Sequence, residues 1–94
     1  MRTRARQDRN QGEIVAALEK LGASVEPIRS LRGGVPDLLV GFQGRNYLIE
    51  IKMPKTGRLS ESQKNWRDNW KGEKPTVLRS TDDVARWVAL VDPY

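Results

Sequence analysis

Asp37, Glu50 and Lys52 are the side chains of this sequence whose types and spacing could do chemistry. They sit in two apolar runs, Gly33-Gly34-Val35-Pro36-Asp37-Leu38-Leu39-Val40 and Tyr47-Leu48-Ile49-Glu50-Ile51-Lys52, whose only charges are these three. Burying charge is costly unless the groups are paired or hold an ion. In an extended strand Glu50 and Lys52 share a face, roughly 7 Å apart, while Ile49 and Ile51 point the other way. Two carboxylates and an ammonium can thus meet at one spot. Phosphodiester hydrolysis needs a placed water, stabilisation of charge on the transition state and help for the departing alkoxide. Two carboxylates holding Mg²⁺ or Mn²⁺ meet several of these needs together, and Lys52 would orient or deprotonate the water or neutralise charge.

Composition narrows the alternatives. The chain has no cysteine and no histidine, which removes disulfides, thiolate nucleophiles, zinc sites built from those residues and histidine bases. Chemistry is left to carboxylates, Lys, Arg, hydroxyls, amides and hard cations. A net charge of +5 over 94 residues favours a polyanionic partner. The length suits one small domain spanning 1–94, and the absence of a long apolar run points to a soluble, cytoplasmic protein with no membrane partner.

The elements that must position the three side chains follow from periodicity and punctuation. Residues 1–9 carry Arg2, Arg4, Arg6 and Arg9 against the lone acid Asp8, and read as a basic arm, either a solvated terminus or a phosphate contact. Ile14, Ala17, Leu18 and Leu21 have helical spacing from about Asn10 to Leu21, and Gly22 supplies a stop. Residues 25–28, with Pro27, read as an edge strand, followed by a basic loop over 29–34. Strands are expected over 38–42 and 46–53, with Gly44-Arg45 in the turn between them. Ser60-Glu61-Ser62-Gln63 fits a capping box opening a helix to about Trp70. Residues 76–78 make a fourth strand, and Ser80 to Asp83 opens a closing helix that runs through Val84, Trp87 and Val88 until Pro93. The order α-β-β-β-α-β-α implies an α/β fold, a small mixed central sheet flanked by helices.

Set in this order, the motifs resemble the Pro-Asp…Glu-x-Lys nuclease superfamily, with its restriction-endonuclease-like fold, and within it the virus-type replication-repair nuclease (VRR-NUC) family. The words that carry the resemblance are Gly-Val-Pro-Asp37, Leu-Ile-Glu50-Ile-Lys52 and Leu59-Ser60 followed by Gln63 and Trp66. The resemblance implies a metal-dependent endodeoxyribonuclease, a hydrolase in which Asp37, Glu50 and the Ile51 carbonyl bind Mg²⁺ or Mn²⁺ and Lys52 is catalytic. It implies a glutamine near the centre, matched by Gln63, which the capping box explains equally well. It also implies a glutamate from the first helix. Here Gln11 lies closer to the Ile14-Leu18 face, turning about 100° per residue, whereas Glu13 has the charge a metal prefers.

Small members of that family are viral or phage-like homodimers acting on branched DNA in the manner of Holliday-junction resolvases, which makes branched DNA the implied substrate and a bacterial or phage-infected host cell the setting. Arg29, Arg32, Lys55, Arg58, Lys64 and Arg67 flank the acids in sequence and are candidate phosphate contacts. Trp66 and Trp70 form a helical stripe, expected in the core rather than at a dimer contact or base-stacking surface. Two other readings stay open: a non-catalytic nucleic-acid-binding module of the same fold, and a sequence-specific duplex endonuclease. For the trio itself the plainer alternative is a surface Glu-Lys pair with an N-cap aspartate.

Overall fold

A computed structural model describes residues 8–92. Most of the basic arm expected over 1–9, including Arg2, Arg4 and Arg6, therefore lies outside the described residues, as do Pro93 and Tyr94. The elements run α1 (Gln11–Lys20), β1 (Ser24–Pro27), β2 (Leu38–Phe42), β3 (Arg45–Ile51), α2 (Glu61–Asn69), β4 (Thr76–Leu78) and α3 (Thr81–Val91). This is the expected order.

The four strands form one mixed sheet in the order β1-β2-β3-β4. β1 and β2 are antiparallel, as are β2 and β3, while β3 and β4 are parallel. Parallel neighbours cannot be joined by a tight turn, so α2 lies on the crossover from β3 to β4. Pro27 ends the edge strand β1, where its missing N–H costs no ladder bond. The β2–β3 hairpin turns on Gln43 (φ 53°) and Gly44 (φ 80°), so Arg45 is already in β3, paired with Phe42, instead of in the turn. Two positive φ values are what a two-residue hairpin with native twist requires.

Alternation along the strands fixes two unlike faces. Leu38, Val40 and Phe42 of β2, Ile49 and Ile51 of β3 and Leu78 of β4 join Ile14 and Leu18 of α1 and Val84 and Trp87 of α3 in the core. Trp87 meets Tyr47 edge-on at 5.0 Å and Phe42 at 5.8 Å. The opposite face carries Leu39, Leu48 and Glu50 by the same period of two. Leu21, expected on the packed face of the first helix, is instead its exposed C-cap, where Gly22 (φ 99°) turns the chain away. None of the residues of α2 is buried, so the expectation that Trp66 and Trp70 pack in the core is overturned. No helix among the described residues is long and apolar enough to cross a membrane.

Candidate active site

Asp37 immediately precedes β2, and the register Leu38↔Ile49 extended by one step sets it opposite Glu50. Its odd position places it on the face away from the core, the face that Glu50 shares. Three bonds fix the residue. Its N–H donates to the Ile49 carbonyl (3.1 Å), its carbonyl accepts from the Ile28 N–H (2.8 Å), and its Oδ2 accepts from the Ile51 N–H (2.7 Å). The Ile51 peptide is thereby held at Asp37, while the Ile51 side chain is sealed in the core.

Glu50 is a carboxylate only 3% exposed on an interior strand. Its carboxyl is pushed up to about 8, first by burial, then by the charge of Asp37 and a side-chain hydrogen bond with it, with Asp8 adding a smaller push. Lys52 acts in the opposite direction and offsets part of the rise. Gln63 Nε2 donates to Glu50 Oε2 at 2.8 Å. The structure therefore brings Asp37, Glu50 and Gln63 together, with Lys52 close enough to act on Glu50.

Gln63 serves two purposes at once. Its Oε1 accepts from the Ser60 N–H at 2.8 Å, and its own N–H donates to Ser60 Oγ at 3.2 Å, so the capping box is complete while the amide nitrogen reaches Glu50. Gly34 lets α2 come this close. It has a φ of 88°, and a Cβ there would run into the Ser62 carbonyl oxygen. Only glycine meets both demands without strain.

The first helix settles one sequence-level ambiguity in burial. Gln11 is 8% exposed and Glu13 is exposed, so Gln11 is the one turned inward. Three residues outside the expected set also shape the centre. Asp8, read as the lone acid of a basic arm, lies near enough for its charge to raise Glu50. Asn10 is buried and its Nδ2 donates to the carbonyls of Lys52 (3.0 Å) and Arg79 (2.8 Å), while its Oδ1 has no partner. Arg79 Nη1 donates to the carbonyls of Met53 (3.0 Å) and Gly57 (2.5 Å), which shapes the basic loop after β3. Asp8 was visible as a charge out of keeping with its neighbours; nothing local signals the other two.

The candidate phosphate contacts divide by place. Lys55, Arg58 and Lys64 line one depression together with Arg79, and Arg32 lines a neighbouring groove along α2. Arg29 and Arg67 line neither. Among the described residues no group of three or more carboxylates forms a ready-made cage for a metal ion. The pair itself nevertheless suits a hard divalent cation, since two facing carboxylates supply oxygen donors and leave negative charge that Lys52 only partly offsets.

The result is a small α/β domain, a mixed sheet with facing acids on one side and the core helices packed on the other. The family profile for the VRR-NUC domain matches residues 3–81, and the chain belongs to that family. A solved structure of a VRR-NUC domain superposes with a TM-score of 0.72 at 22% identity, covering 90% of this chain and 98% of that one, which establishes the shared fold. No curated protein matches the chain. Domains of this kind are nucleases that generally use divalent metal ions, which points to DNA as the partner.

Proposed function

We propose that this domain is a Mg²⁺- or Mn²⁺-dependent, structure-selective DNA endonuclease that hydrolyses phosphodiester bonds in branched DNA such as Holliday junctions, working as a homodimer. The observation that carries the catalytic part is the opposition of Asp37 and Glu50 across β2 and β3, with Gln63 bonded to Glu50. Asp37 and Glu50 would hold the ion through their side chains, with the Ile51 carbonyl and Gln11 as further oxygen donors. When bound, the divalent ion supplies Lewis acidity and lowers the pKa of its water. Glu50, held protonated by burial and by Asp37, would have to release its proton to serve in this way. Lys52 orients the attacking water and neutralises charge on the phosphate. Gln63 fixes the Glu50 carboxylate, and the depression of Lys55, Arg58, Lys64 and Arg79 receives the flanking phosphates. A domain of this size offers little surface for reading bases, and a two-fold dimer presents two centres to a four-way junction.

The test is cleavage of linear duplex, flap and four-way junction with Mg²⁺, Mn²⁺ or chelator, using wild type and Asp37→Ala. The expected result is metal-dependent cutting of the branched substrates that the variant loses by at least about 100-fold while still binding DNA in chelator. Cutting of linear duplex at one sequence would replace the substrate assignment. DNA binding without cleavage of any substrate would leave a non-catalytic binding module.

A further inference from the structure

α2 and its C-cap carry an aromatic pair that the core does not use. Trp66 and Trp70, one helical turn apart, stack with ring centroids 4.5 Å apart and planes 15° from parallel, and Trp70 is 42% exposed. Exposed aromatic surface of this kind marks a contact site. The pair forms one wall of a groove completed by Ser62, Asn65 and Asn69 on the same helix and by Arg32 from the β1–β2 connection.

The polar rim is available for binding. Among the described residues, the Asn65 amide and the Arg32 guanidinium have no hydrogen-bond or ion partner. Among the described residues the only charge lining the groove is that of Arg32; the helix itself balances Lys64 and Arg67 with Glu61 and Asp68. A flat aromatic surface edged by amides, a hydroxyl and one guanidinium matches a nucleobase, a π-system with donors and acceptors on its rim and an attached phosphate. A second copy of the chain fits less well, since a two-fold contact here would set the Arg32 guanidinium facing its own copy with no carboxylate among the described lining residues to receive it.

Position links this groove to the centre. Trp66 lies one helical turn beyond Gln63, whose amide touches Glu50, and Gly33 of the loop that seats α2 also lines the groove. In continuous duplex the faces of the bases are covered by their neighbours, so a stacking wall can take only an unpaired or extruded base. We propose that this groove is a binding site for an unpaired nucleobase of the strand being cut, so that the substrate is DNA offering an unpaired nucleotide beside the scissile phosphate. That this strand is cut rests on the nuclease reading above; the stacking does not.

The test is tryptophan fluorescence titrated with a short oligodeoxythymidylate in chelator, where no cleavage occurs. Trp87 is buried, so quenching reports on Trp66 and Trp70. Quenching is expected, with Trp70→Ala weakening binding by roughly tenfold and Trp70→Tyr retaining most of it. An oligomer of abasic sites, with phosphates and no bases, is expected to bind wild type and Trp70→Ala alike. Thermal melting confirms that each variant is folded, and Trp66→Ala serves as the second probe. Equal binding of the thymidylate by wild type and both alanine variants would overturn the proposal, as would an equal loss with the abasic oligomer. So would conversion of a dimer to a monomer by Trp70→Ala with base-dependent affinity unchanged, which would assign the groove to a second copy. Absence of cleavage by wild type on every substrate would instead strike the nuclease reading and leave this titration standing.

Discussion

β3 and α2 both contribute to the same centre, yet β3 buries its last three residues while α2 buries none. Glu50 is held by its pairing with Val77 of β4 and by neighbours Ile49 and Ile51 that bond to Asp37 and pack in the core; Gln63 is held by its cap, by the approach of Gly34 to Ser62, and by Glu50 itself. The acids thus stand on a rigid support, and the groups proposed to meet the nucleic acid stand on an element with little packing energy of its own. On the proposed reading this lets the acids stay preorganised while the contact surface adapts.

The contrast is sharpest at Lys52. Its replacement by Ala is expected to lower cleavage by about 10²- to 10⁴-fold while Mn²⁺ uptake measured by calorimetry persists. An unchanged rate would remove Lys52 from the chemistry and leave the sheet only an ion-holding role. Gly34→Val probes the other region. A side chain there must push Ser62 away, which breaks the Gln63–Glu50 bond, and a displacement of this kind is expected to cost about 100-fold in rate with the core still melting cooperatively. If the rate holds, α2 is not a part of the centre.

A proton distinguishes the regions more finely. Glu50 in the folded, metal-free protein keeps its proton to about pH 8, whereas an unfolded glutamate releases it near 4.5. The folded state binds the extra proton, so this contribution to stability is complete below about pH 4.5 and is lost as pH climbs to about 8. Melting in chelator should show Tm of wild type falling relative to Glu50→Gln across that window, and Mn²⁺ binding there should release a proton to the buffer. Parallel melting curves for the two proteins would contradict the burial argument. The smallest effect belongs to the basic depression. Lys64→Ala should lower the slope of log affinity against log salt by about one, uniformly across DNA sequences, and an unchanged slope would take Lys64 out of the phosphate contacts.

Most of the framework was legible because its signals are local. The strands 38–42 and 76–78 and the capping box at Ser60 stand where alternation, turn residues and cap chemistry put them. The β2–β3 turn slipped by one residue because Gln43 adopts the left-handed conformation without being glycine or asparagine. Trp66 and Trp70 misled for a different reason. Helical spacing is the same whether a stripe faces core or solvent; what separates them is company, since the buried Trp87 stands beside Val84 and Val88 whereas Trp66 and Trp70 stand among Lys64, Asn65, Arg67, Asp68 and Asn69. The centre divides likewise: Asp37 and Glu50 face each other as strand geometry requires, and Gln11 turned inward as its helical angle indicated. Asn10 was not readable, since its amide meets carbonyls 42 and 69 positions away and no pattern in a single sequence encodes that meeting.

That amide has a consequence of its own. By clasping the chain just past β3 and just past β4 at the same moment, Asn10 works as a latch between the first helix and the rim where the acids lie. Fraying of α1 and loosening of that rim are therefore a single event. Heat or denaturant should silence the protein where its first helix lets go, in the same transition that opens the core Ile14 and Leu18 share with the strands.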